Sequence, residues 1–97
     1  MRPIPPFRLV AEPMDETAAS LPKFKWADPE VGKRHKLGGQ PTFIQQPHFP
    51  ECTCGKTMTF YGQLDSINDE FTLADCGIIY VFVCFDCFET KSLLQSG

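Results

Sequence analysis

The sequence predicts a small α+β fold, mostly antiparallel β. In it a zinc-ribbon-like sheet carries two cysteine knuckles and an extended, proline-rich N-terminal arm. Three observations predict it: two close cysteine pairs separated by 29 residues, β-type apolar patterning beside each pair, and six of the nine prolines crowded into the first third. At 97 residues the chain sits near the lower edge of sizes that bury an adequate core unaided. Domains this small often recruit a disulfide or a metal as a staple.

Residues 1–30 read as an arm packing on the body, and residues 31–97 as a metal-binding, ribbon-like domain. Pro5 and Pro6 favour extended backbone, and Phe7-Arg8-Leu9 alternates well enough for a short edge strand. Between Pro13 and Leu21 a short helix is expected, with Asp15 and Glu16 favourably placed at its N-terminal end and Pro22 stopping it. Phe24 and Trp26 alternate with Lys23 and Lys25, so one apolar side is expected to dock against the body. Gly38-Gly39 follows a basic cluster (Lys33, Arg34, Lys36) and suits a tight turn with positive φ. Phe43 and Ile44 then begin a short extended piece.

From Thr57 to Leu64, Met58, Phe60, Gly62 and Leu64 alternate with Thr57, Thr59, Tyr61 and Gln63, the period of a half-buried strand. Ile78 to Val83 is apolar, β-branched or aromatic, and reads as the central strand. Between them lies a polar, acidic loop with Asp65, Asp69, Glu70 and Asp75. The last ten residues are expected to make a helical turn or two around Leu93 and Leu94.

Cys52 and Cys54 form C-x-C just before the first predicted strand; Cys84 and Cys87 form C-x-x-C just after the second. Antiparallel pairing of those strands would bring all four sulfurs to one end of the sheet, as a ribbon-type zinc site requires. Gly55 permits the turn that aims backbone amides at sulfur. Structural zinc is the first choice of metal, and an iron–sulfur cluster takes the same four ligands. Cys76 reads as a spare buried or loop thiol, with replacement of one ligand as the alternative.

Residues 1–48 hold seven basic and five acidic side chains, whereas residues 49–97 hold two basic and seven acidic ones. An acidic body argues against nucleic acid, whose binding depends on Lys and Arg displacing counterions. It suits a protein partner with a basic surface. Neither a phosphate loop, a nucleophile elbow, an EF-hand nor a dinucleotide fingerprint is present, so a non-catalytic protein is expected. His35 and His48 lack a paired acid or nucleophile. No basic-then-apolar leader is seen, and the eight-residue run Ile78 to Phe85 is too short to span a bilayer, so a cytoplasmic protein is expected, monomeric on its own and off the membrane.

The run HKLGGQPTFIQ, then PHFPECTCGKTMTFYGQLDS, then GIIYVFVCFDC, resembles the bacterial YwqG-like domains of uncharacterised function and a segment of the programmed-cell-death-protein-two family. The resemblance rests on Leu37, Gly38, Gly39, Pro41, Phe43, Ile44 and Gln45, on the Cys52–Cys54 knuckle with Gly55, on Met58, Phe60 and Gln63, and on Tyr80 to Cys87. Phe43 stands where tryptophan is usual, and the first knuckle is one residue shorter. The resemblance implies a binding module, and in bacteria an immunity protein that neutralises a cognate toxin. Its contact surface would use Asp65, Asp69, Glu70, Phe71 and Asp75 of the acidic loop, with Trp26 of the arm. Two alternatives stay open. One is a zinc-ribbon adaptor in translation or ribosome assembly, or a nucleic-acid contact through Lys33, Arg34 and Lys36; the other is an iron–sulfur redox protein.

Overall fold

In the computed structural model, which describes residues 2–97, the chain forms one five-stranded antiparallel sheet in strand order β1-β2-β3-β4-β5. The elements are β1 (Phe7–Arg8), α1 (Glu16–Ala19), β2 (Lys36–Leu37), β3 (Thr59–Asp65), β4 (Ile78–Val83) and β5 (Thr90–Gln95). The expected edge strand, short helix and two main strands are all present. Asp15 caps α1, its Oδ1 accepting from the Ala18 amide at 2.9 Å. The Gly38-Gly39 turn has φ of 67° and 70°. A side chain on Gly38 would meet the Pro5 carbonyl, so glycine lets the arm lie against the turn, where the Gly39 amide donates to the Ile4 carbonyl.

Four expectations need correction. Residues 90–95 are not helical: they form β5 and pair with β4 from Val83↔Thr90 to Ile78↔Gln95. The second knuckle is a hairpin turn, and a hairpin needs a return strand. Ile78–Val83 is interior, but β3 occupies the middle of the sheet. The stretch around Phe43 and Ile44 is irregular rather than extended. Trp26 does not dock; it is 92% exposed, and of that apolar pair only Phe24 is half-buried.

The alternation of β3 also changes phase midway. Its register with β4 passes from Phe60↔Phe82 to Gly62↔Val81, leaving Tyr61 as the extra residue of a β-bulge. Before the bulge Met58 and Phe60 are buried; after it Gln63 and Asp65 are, while Leu64 is turned outward. Two polar side chains thus enter the buried face.

That face holds the core of Met58, Phe60, Ile78, Tyr80 and Phe82, with Cys52 and Cys84 at its lower rim. Phe43 and Phe49 cover it: Phe43 lies 5.2 Å from the Tyr80 ring and Phe49 6.0 Å from Phe82, centroid to centroid. Residues 42–46 have no strand partner, so buried side chains satisfy their backbone groups. Gln63 accepts from the Thr42 amide, the Tyr80 hydroxyl donates to the Thr42 carbonyl, and Gln95 accepts from the Ile44 and Gln45 amides while donating to the Gln46 carbonyl. Unpaired buried amides would each cost about 1–3 kcal/mol, which explains why polar residues occupy core positions.

Asp65 closes the opposite end. Its carboxylate accepts from the amides of Gly32, Arg34 and Ser66 and from the Arg34 guanidinium at 2.7 and 2.8 Å, and Arg34 also donates to the Cys76 carbonyl. Asp65 therefore cannot serve as a partner-binding acid, because its side chain is 0% exposed and already fully engaged. Burial pushes its pKa up, but Arg34 and the amides outweigh that and hold it below the ordinary carboxylate value. Among the described residues no helix is long and apolar enough to cross a membrane.

Arg34→Ala leaves the Asp65 charge buried without its partner and should cost about 3–5 kcal/mol, read from urea unfolding. With its folded pKa depressed, Asp65 contributes fully above its unfolded value of about 3.9, and the contribution fades as pH falls towards the folded value. Asp65→Asn should therefore flatten the loss of stability below about pH 4; an unchanged pH slope would contradict the role given to this carboxylate.

Candidate metal centre

Antiparallel pairing of β3 with β4 places the chain before Thr59 and the chain after Val83 at the same end of the sheet. Each exit turns through a knuckle. In the first, the Gly55 amide donates to the Cys52 carbonyl and the Cys52 amide to the Lys56 carbonyl, both at 2.8 Å. In the second, the Phe88 amide donates to the Cys84 carbonyl at 2.7 Å and the Cys84 amide to the Glu89 carbonyl at 2.9 Å. The second loop is one residue longer, matching the extra residue in C-x-x-C. In both, the residue after the last cysteine is left-handed: Gly55 has φ 88° and Phe88 φ 63°. Glycine takes this conformation freely, whereas a bulky side chain is strained there.

The four sulfurs lie within 4.8 Å of one another. Cys54 and Cys84 are 3.7 Å apart, close to the roughly 3.8 Å edge of a tetrathiolate with metal–sulfur bonds of about 2.3 Å. Cys52 and Cys87 are closer, at 2.8 Å, so an ion would part that pair by about 1 Å. The donor set fits a metal ion held only by thiolates, with Cys52 and Cys84 on the buried side and Cys54 and Cys87 facing out.

Electrostatics favour a cation at this point. The amides of Cys87 and Asp86 draw the Cys84 thiol down to about 7. The hydrogen bond with Cys52 drives Cys87 up to about 12. For Cys54 the Lys56 amide pulls downward, but the Cys52 and Cys84 sulfurs and burial together leave it raised. The Cys84 proton leaves near neutrality, whereas Cys54 and Cys87 hold theirs more tightly beside the neighbouring sulfurs. A divalent ion reverses that resistance, so binding it releases protons.

Two clasps join the knuckles, each from a donor on the first to a carboxylate on the second. Glu89, from the second, accepts from the Thr53 hydroxyl at 3.0 Å and from the Thr53 amide. Lys56, from the first, pairs with Asp86 of the second at 3.1 Å. Neither was legible as a pairing in the sequence, although Thr53 and Asp86 directly flank a cysteine and Lys56 and Glu89 each lie two residues from one.

The remaining predicted site residues gather at the other end. Asp69 accepts from the Lys25 amide at 2.8 Å, which brings Trp26 beside the acidic loop. Phe71 is 49% exposed, and Asp69, Glu70 and Asp75 face solvent. The loop is held from within: Ser66 Oγ donates to the Gly77 carbonyl and accepts from the Leu73 amide, and Asn68 Oδ1 accepts from the amides of Glu70 and Phe71. Lys33 is exposed, Lys36 Nζ donates to the Thr42 hydroxyl at 3.0 Å, and Arg34 is consumed by Asp65.

No protein-family model matches the chain, and no solved structure matches it. Over 61 residues, 62% of this chain, it is 36% identical to a Salmonella typhimurium (strain LT2) protein described as uncharacterized protein YpfL, and the alignment covers 14% of that protein. The chain thus spans about a seventh of the length of the curated relative it matches.

Chelation, or Cys84→Ser with Cys87→Ser, should remove stabilisation on the order of 10 kcal/mol and collapse the amide dispersion of β3 to β5 in NMR spectra. A metal-free double variant that kept the whole sheet would sink the metal centre. Phe88→Gly should relieve about 1–2 kcal/mol of left-handed strain, less about 0.5–1 for glycine's freer unfolded chain. The urea midpoint should therefore rise slightly; a fall would show that the Phe88 ring, 69% exposed, packs more than its exposure suggests.

Proposed function

We propose that the protein is a zinc-stapled, non-catalytic binding module, and that in its bacterial setting it is an immunity protein whose partner is a toxin domain with a basic surface. The observation that carries this reading is the ridge opposite the metal. There Trp26, Ile67 and Phe71 are exposed together with Asp69, Glu70 and Asp75. Exposed aromatics ringed by acids are what a partner with apolar anchors and a cationic rim would use. The ridge is rigid for a loop, because Ser66, Asn68 and the Lys25–Asp69 hydrogen bond hold it. Recognition then meets a surface already ordered, which lowers the entropic cost of binding.

Zinc supplies no reaction here. Cys52, Cys54, Cys84 and Cys87 would hold it as a structural ion, and its contribution would be to fix the knuckle end of the three long strands. The immunity assignment draws on the resemblance to YwqG-like domains, and the acidic second half of the chain agrees with it. Arg34 is committed to its ion pair with Asp65, which weakens the alternative of a nucleic-acid contact through Lys33, Arg34 and Lys36.

Freshly purified protein should be colourless and carry one zinc per chain by elemental analysis; a brown sample with iron and sulfide would replace this reading with a redox one. The protein should co-purify with the product of the adjacent upstream gene. Trp26→Ala and Phe71→Ala should each weaken that complex by about 1 kcal/mol or more without moving the urea midpoint. If the neighbour is no toxin and binds nothing, the immunity assignment fails.

A further inference from the structure

We propose that the open edge of β5 is a strand-addition site for an extended, basic segment of a partner protein. This rests on the binding-module reading and adds how the partner's backbone would be held. β5 is the last strand of the sheet and pairs only with β4. In an antiparallel pair, alternate residues turn their N–H and C=O groups towards the neighbour and away from it. The Cys84 amide donates to the Glu89 carbonyl, which puts Glu89, Lys91, Leu93 and Gln95 in the set facing β4. The Ser96 carbonyl, one residue beyond, faces away and is taken by Gln45 Nε2 at 2.7 Å, as this phase requires. Thr90, Ser92 and Leu94 therefore direct their backbone groups outward. Among the described residues no strand receives them.

A groove of about 600 Å³ runs beside this edge, between β5 at Lys91, Ser92 and Leu93 and a wall of His48, Phe49, Pro50 and Glu51. Phe49 is partly exposed in that wall and offers an aromatic surface to alternate side chains of an added strand. The open stretch from Thr90 to Leu94 accommodates about five residues of extended chain, or roughly 16 Å.

Charge selects the occupant. The edge's own cation, Lys91, is tied to the Glu51 carbonyl at 2.8 Å and lies 3.8 Å from the Glu89 carboxylate. Lys56 is paired with Asp86. At the far end of β5, the Gly97 amide bonds to the Asp75 carbonyl, so the acidic loop adjoins the strand there. Loaded with a divalent ion, the four thiolates add about two negative charges beside its start. A second copy of this chain would set these acids against their own kind. A Lys- or Arg-bearing segment complements both ends of the edge.

The test uses zinc-loaded, ¹⁵N-labelled full chain and two synthetic octapeptides, one alternating lysine with valine and one alternating glutamate with valine. The lysine peptide should shift the amides of Thr90, Ser92 and Leu94 and slow hydrogen exchange at Ser92 and Leu94. The glutamate peptide should do neither. Ser92→Pro removes one outward N–H and leaves the β4 ladder intact, so it should weaken lysine-peptide binding about tenfold, whereas Ser92→Ala should bind normally. If the proline variant does not fold, exchange protection in the unaltered protein still decides the matter. Shifts confined to residues 67–75 would overturn strand addition while leaving the binding-module reading standing. No shift at all, equal response to both peptides, or β5-mediated dimers in sedimentation without peptide would also overturn it.

Discussion

The pairing of β3 with β4 is the constraint on which the rest of this protein depends. Its register from Thr59↔Val83 to Asp65↔Ile78 decides that two cysteine pairs 29 residues apart in sequence leave the sheet at the same end. Each pair then sits in a turn whose backbone is closed by hydrogen bonds to the first cysteine of the pair. The clasps Thr53–Glu89 and Lys56–Asp86 both run from a donor on the first knuckle to a carboxylate on the second, tying the two turns together at two points. A metal bound there acts on geometry that hydrogen bonds have already narrowed.

The core is thin, and polar side chains complete it. A β-bulge at Tyr61 turns Gln63 and Asp65 inward, and each bonds to part-buried backbone amides of a neighbouring segment. Gln95 does the same from β5. Long amides and a tyrosine hydroxyl thus stand in for a missing strand along residues 42–46, leaving Phe43 free to lie over Tyr80. Such a network stabilises only when every member is satisfied, which makes it specific as well as costly to disturb.

Much of this was legible in the sequence. Cysteine spacing beside β-type runs announced the sheet, the two knuckles and their shared end, and Gly38-Gly39 announced the turn. What escaped depends on groups that are distant in sequence. The bulge at Tyr61 leaves no mark on an alternation that looks unbroken, so Leu64 read as buried and Asp65 as an exposed loop acid. β5 was missed because Thr90 to Gln95 lacks the β-branched density of β4. The signal available was topological: a knuckle that begins a strand's exit must be followed by a return. Trp26 read as a docking residue because Phe24 and Trp26 alternate, yet the arm is held at the Lys25 amide, which leaves the indole outside.

The chain carries one tryptophan, and it is the most solvent-exposed of the large aromatic side chains at 92%. Its emission is already that of an indole in water, so denaturation would barely shift it and a fluorescence melt would look deceptively flat. The same indole stands beside the acidic loop, where an arriving partner would exclude solvent and move the emission to the blue. On the proposed binding reading, the protein therefore carries a built-in optical reporter, nearly silent to unfolding and responsive to a partner that covers the indole.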